Sequence, residues 1–144
     1  GYMDAEERRL REELAGTGVS VRRVGDRIVL DMPGNLTFAT DSADVAARFY
    51  PVLNSVAAVL DEYERTLVDV AGHTDSTGAR DYNRALSQRR ADSVARYLVA
   101  QGVDERRVLP RGFGEDYPVA DEGTAEGRRQ NRRVELVLEP IVAS

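Results

Sequence analysis

The chain has 144 residues, 42% of them hydrophobic and 31% charged, with a formal charge of -5 and a pI near 5.0. That size and balance suit one domain with a packed core and a charged surface, and the acidity argues against nucleic acid as the main partner. Cysteine is absent, which excludes a disulfide framework, a thiolate zinc site and a cysteine nucleophile.

The opening Gly1-Tyr2-Met3-Asp4 lacks the basic-then-apolar pattern of a signal peptide, and no apolar run approaches the length of a bilayer crossing. The expectation is a fragment of a longer chain, any export signal or lipid anchor having been removed or never present. From Asp4 to Leu14, Glu and Arg alternate densely around Leu10 and Leu14, which predicts a solvated, marginal helix serving as a linker. Two β-branched runs, Val19 to Val24 and Arg27 to Met32, flank Gly25-Asp26 and predict a hairpin. Pro33-Gly34-Asn35 ends its second strand.

Tyr50-Pro51 opens a helix, because proline at the first helical position loses no needed hydrogen bond. Leu53, Val56, Ala57, Leu60 and Tyr63 follow at helical spacing. Thr66 to His73 is a short apolar run that predicts a buried strand, followed by the loop Thr74-Asp75-Ser76-Thr77-Gly78. A long helix is expected over Tyr82 to Ala100, closed by Gly102. Val108 to Phe113 reads as a strand near a sheet edge, since Pro110 cannot donate to a ladder. Gly123 to Asn131 predicts a loop with a short helix. In the last strand Val134, Leu136 and Leu138 alternate with charged neighbours, giving one apolar face. The element order implies an α/β two-layer sandwich, with helices on one side of a small mixed sheet. The expected organisation is a charged linker or helix over 1–17, one domain over 18–140 and a tail over 141–144.

On a wheel turning about 100° per residue, Leu86, Val94, Tyr97 and Leu98 fall within an arc of roughly 120°, and Arg90 lands inside it. Arg89, Asp92 and Arg96 gather opposite with Gln88. A guanidinium directed at a core needs a partner, because an uncompensated buried charge costs several kcal/mol. Asn83 lies on the same arc, and Asp75 is the carboxylate that the preceding strand and loop bring over it. Two readings stand side by side. Asp75 caps a turn while Arg90 makes a structural ion pair, or the two form a clamp in which Asp75 takes an ammonium and Arg90 a carboxylate. The wheel alone favours neither.

The run Gly72-His73-Thr74-Asp75-Ser76-Thr77-Gly78, followed by Asn83, Leu86-Ser87, Arg89-Arg90-Ala91 and Val94, resembles the OmpA-like peptidoglycan-binding family. Gly102-Val103, Gly112-Phe113-Gly114, Pro118, Glu126-Gly127-Arg128 and Asn131-Arg132-Arg133-Val134 extend the resemblance over roughly residues 27–139. Gly16-Thr17-Gly18-Val19 and Met32-Pro33-Gly34-Asn35 are similar to its outer-membrane lipoprotein branch. The resemblance implies a βαβαβ-type core with an added N-terminal hairpin strand, and recognition of meso-diaminopimelate in the peptidoglycan stem peptide. By position, Asp75 meets the ammonium and Arg90 the carboxylate, with Asn83 and Thr74 as polar supports. Phe38, Ala39 and Thr40 line the pocket, partly through backbone N–H groups; Leu86 supplies an apolar wall and Arg132 supports the acid. Ala39 departs from the family, many of whose members carry aspartate there. The missing carboxylate leaves the backbone to act alone or is replaced by Asp41.

His73 is the single histidine and has no second ligand at metal-binding spacing, so no metal and no cofactor are expected. Ser76, Ser87 and Ser93 lack histidine and acid partners for a nucleophile system. Paired carboxylates such as Asp75 with Asp41 or Glu115 suggest glycan cleavage, but an arginine beside the acid holds it ionised and unfit as a general acid. Arg128, Arg129, Arg132 and Arg133 have no interleaved aromatics and do not read as a nucleic-acid surface. The resulting expectation is a non-catalytic periplasmic domain that anchors an outer-membrane protein or lipoprotein to peptidoglycan. The alternative is an interaction or assembly module of the same fold with a weakened or empty pocket.

Overall fold

A computed structural model describes residues 1–142. Of the tail expected over 141–144, residues 143–144 lie outside the described residues. The elements run α1 (Tyr2–Leu14), β1 (Ser20–Val24), β2 (Arg27–Pro33), a one-turn α2 (Gly34–Thr37), α3 (Tyr50–Glu62), β3 (Thr66–His73), α4 (Arg80–Ala100), β4 (Val108–Gly114), α5 (Ala125–Asn131) and β5 (Arg133–Pro140). Short 3-10 turns at Ala47–Phe49 and Glu105–Arg107 precede α3 and β4. The strands form one mixed sheet in the order β1-β2-β5-β3-β4, with β3 and β4 parallel and the other neighbours antiparallel.

The alternation along each strand sets the core. Ile28, Leu138, Val68 and Val108 stand in one row across the sheet, and Leu30, Leu136 and Val70 in the next. All of these side chains are buried against the helices. The opposite face carries Arg22, Asp31, Asp69, Arg111 and Glu135 among smaller apolar groups. The sandwich expected from the element order is therefore present: α3 packs with α1 and α4, and α4 lies along β3 and β4. Pro110 does fall on an edge strand.

Two expectations are corrected. The charged N-terminal segment is not a solvated linker, because α1 buries Met3, Glu6, Leu10 and Leu14 against α3 and the β1–β2 hairpin. Arg23 of β1 ties it down with bonds to Asp4 at 2.8 Å and Glu7 at 2.9 Å, and the Tyr2 ring meets Tyr63 edge-on at 5.5 Å. Isolated helices of this length are marginal in water; tertiary contact is what holds this one.

The long helix starts two residues before the expected Tyr82 and buries Asn83, Ser87, Ala91, Val94, Ala95 and Leu98. Leu86, Arg90 and Tyr97 lie on the rim of that face rather than at its centre. The displacement has a steric cause. A Cβ on Gly72 would lie 2.2 Å from the Ser87 carbonyl oxygen, and one on Gly112 would lie 2.2 Å from the Gln88 nitrogen. Only glycines opposite small helical residues let α4 approach its strands this closely. The Ser87 hydroxyl then accepts the Gly114 N–H at 2.9 Å, and the Gln88 side-chain oxygen accepts the Gly112 N–H at 2.9 Å.

Candidate functional site

A cleft of about 530 Å³ opens at the end of the sheet where β2 leaves it, lined by Gly34, Asn35, Phe38, Ala39, Thr40, Asp41, Arg48, Arg90 and Arg132. The chain reaches it from four places: the α2 turn and its following loop, the turn before α3, the middle of α4, and the junction of α5 with β5. The Gly34 N–H donates to the Arg132 carbonyl at 2.8 Å. A Cβ on Gly34 would lie only 2.9 Å from that oxygen, so the absence of a side chain is what lets α2 close on the β5 entry.

Arg90 is half-buried, and its Nε donates to the Ser42 carbonyl at 2.9 Å. The guanidinium carbon lies 4.8 Å from the centroid of the buried Phe38 ring, a cation–π contact. Burial draws its pKa below the ordinary guanidinium value, while the nearby Tyr82 and Asp41 raise it; a group with so high a starting value stays charged. No carboxylate bonds to Arg90 among the described residues. Among the described residues its two terminal nitrogens donate to no protein acceptor.

Asp75 is 8% exposed and is held from two sides. One oxygen accepts the Thr77 N–H at 2.9 Å, capping the loop, and the other accepts from Arg132 at 2.6 Å. Burial alone would raise this carboxyl, but Thr77 and Arg132 outweigh it and hold the acid below its usual range. The ionic partner of Asp75 is thus Arg132 rather than Arg90, a correction to the direct pairing considered from the wheel. A carboxylate offers about four lone-pair directions, so two bonds leave room for a further donor.

The remaining expected residues divide. Phe38, Ala39, Thr40, Asp41, Arg90 and Arg132 come together in the cleft lining, whereas Asp75 is not in that lining and is joined to it through its bond to Arg132. Among the described residues, the N–H groups of Thr40 and Asp41 have no hydrogen-bond partner. Asp41 holds a left-handed φ of 54°, a conformation aspartate tolerates better than most residues. Asn83 and Thr74 do not line the cleft. Asn83 donates to the Thr77 carbonyl at 2.9 Å, and the Thr74 hydroxyl donates to the Asp75 carbonyl at 2.7 Å, so both shape the loop that carries the acid. Leu86 is half-buried away from the cleft lining.

Sequence reasoning missed Arg48, whose guanidinium donates to the Asn35 carbonyl at 2.7 Å, and Glu122, which accepts the Ser76 N–H at 2.8 Å and its hydroxyl at 2.6 Å. No pattern announces either, because Arg48 lies on a single 3-10 turn and Glu122 in a loop. His73, by contrast, stacks on Phe113 at 5.5 Å. Burial first and Arg133 second push its pKa down to about 4. It packs on the opposite face of the sheet, and among the described residues no three His, Cys, Asp or Glu side chains gather as for a metal ion.

A family model described as the OmpA family matches residues 37–132. The probable lipoprotein YiaD of Escherichia coli is 52% identical over 140 residues, 97% of this chain and 64% of its own length. The peptidoglycan-binding protein ArfA of Mycobacterium tuberculosis is 41% identical over 105 residues, 73% of this chain and 32% of its own. Among solved structures, the cell wall anchor of the T6SS from Pseudomonas aeruginosa superposes with a TM-score of 0.83 at 36% identity, covering 93% of this chain and 99% of that one. The chain therefore spans less than two thirds of the curated relatives' length.

Proposed function

This chain belongs to the OmpA family, and from that premise we propose that it is a peptidoglycan-binding domain that takes meso-diaminopimelate of the stem peptide at the Arg90 cleft. The family is non-enzymatic, and binding here needs no chemistry beyond charge and hydrogen bonds. The observation that carries the reading is the state of Arg90. A cation laid on Phe38 and fixed through its Nε, with its other donors unengaged among the described residues, is preorganised for a carboxylate. Asp75, ionised beside Arg132, retains capacity for an ammonium. Asn83 and Thr74 act through the loop, and Thr40 and Asp41 offer backbone N–H groups where Ala39 brings no carboxylate.

One relative is named as a peptidoglycan-binding protein and one solved structure as a cell wall anchor; both names agree with this reading. By the same analogy, the whole protein resides in the periplasm, tethered to the outer membrane as a lipoprotein or porin, with this part holding the wall. A pocket emptied by Ala39, leaving only an assembly role, is the competing reading.

Pelleting with purified sacculi tests the proposal. Arg90→Ala and Asp75→Asn should each abolish co-sedimentation, while Arg89→Ala, exposed on the far side of α4, should not. Retention of pelleting by both site variants would sink the assignment to this cleft, and a wild type that stays in the supernatant would favour the assembly role.

A further inference from the structure

Three guanidiniums line the cleft, and their electrostatic accounts differ. Arg132 is balanced by Asp75 at 2.6 Å. Arg90 and Arg48 each donate to a main-chain carbonyl, Ser42 at 2.9 Å and Asn35 at 2.7 Å. Neither has a carboxylate within ion-pair reach among the described residues. The one acid in the lining is Asp41, which pairs with none of the three. A net surplus of positive charge at this spot is not a general trend in a chain whose formal charge is -5.

Arg48 is also anchored rather than trailing. It sits on the turn Ala47–Phe49, where the neighbouring Phe49 is buried in the core, and its bond to the Asn35 carbonyl fixes the guanidinium against α2. A charged side chain held at both ends gives up less freedom when it takes a ligand. The volume of about 530 Å³ lies in the range of sites that hold a whole small molecule, more than one zwitterionic end requires.

We infer that Arg48 is a second anion-binding group of this cleft, so that the ligand is read as a peptide carrying two carboxylates, one on Arg90 and one on Arg48. This rests on the peptidoglycan reading and narrows it. A stem peptide ending in diaminopimelate offers two sources for the second carboxylate: the α-carboxylate of the γ-linked glutamate before diaminopimelate, and the carboxylate at the peptide's terminus. The chemistry is the same for both, a planar anion meeting a guanidinium fork.

The test is a calorimetric titration of the full chain with the tripeptide L-alanyl-γ-D-glutamyl-meso-diaminopimelate and two monoamides of it, one blocked at the glutamate and one at the terminus. In the wild type, one monoamide should bind ~tenfold more weakly than the free acid, and which one identifies the source. In Arg48→Ala the acid should fall to the level of that monoamide, and amidation should then change nothing. A merely structural Arg48 would shift acid and amides together. Equal loss on amidation in wild type and Arg48→Ala, or no loss in either, overturns the inference while leaving the peptidoglycan reading intact. Failure of the wild type to bind any of the three peptides overturns both.

Discussion

The Arg132 guanidinium meets the Asp75 carboxylate at 2.6 Å from the capping position just after α5. Asn131, one residue earlier, accepts the N–H groups of Val119 and Ala120 at 2.7 and 3.0 Å. Arg133, one residue later, pairs with Glu135 at 2.7 Å. Three consecutive polar residues thus fix a loop, a binding-loop acid and a strand.

Removing the middle one leaves the buried Asp75 with Thr77 as its remaining partner among the described residues. Arg132→Ala should lower stability by about 1–3 kcal/mol, read from the urea midpoint. The Asp75 carboxyl should titrate closer to its ordinary value in carbon NMR. An unchanged midpoint together with an unchanged titration would show that the pair does nothing.

Glu6 provides a pH signature. It is fully buried, neither oxygen has a hydrogen-bond partner, and burial lifts its pKa to about 7 despite the attraction of Arg107. A carboxyl with a raised folded pKa binds its proton more tightly in the native state. Its contribution to stability is therefore full below about pH 4.5, the unfolded value, and is lost as pH rises to about 7. Glu6→Gln should remove that fall and exceed the wild type at pH 8 in thermal midpoint. His73 acts in the opposite sense: its pKa is depressed, so the stability it contributes is lost as pH falls from 6.5 toward 4. For that reason the difference between Glu6→Gln and wild type across pH is the quantity to measure. A pH-independent difference would refute the assignment.

The close seating of α4 predicts that Gly112→Ala is severe. Its Cβ would meet backbone atoms of Gln88 at 2.2 and 2.6 Å, which cannot rotate away, so a loss of roughly 2–3 kcal/mol is expected in denaturant titration. A variant of wild-type stability would mean that α4 slides freely along β4.

Strands were legible where burial imposed a period of two. β3 and β5 follow directly from Val68, Val70, Leu136 and Leu138, and β1 and β2 from the Gly25-Asp26 turn. α1 was misread because an acid, Glu6, occupies a position on its buried stripe between Met3 and Leu10, disguising an apolar face as a charged one. α4 was read out of phase because its inner face is made of Ser87 and Ala91, whose small size matters more there than their hydrophobicity. That phase decides how Arg90 sits, on the rim over Phe38 and not in the core. Arg48 had no legible signal at all, since its place at the cleft arises from a turn packing against α2, a contact between segments without periodicity.

The position of β5 has a consequence for how this molecule comes into being. Its strand lies between β2 and β3, so the N-terminal hairpin and the parallel pair have no hydrogen-bonded seam until the ribosome has produced the chain as far as Pro140. Such late, long-range pairing slows folding. A product truncated before Arg133 would carry two raw sheet edges in place of one finished sheet, inviting aggregation and proteolysis rather than partial activity.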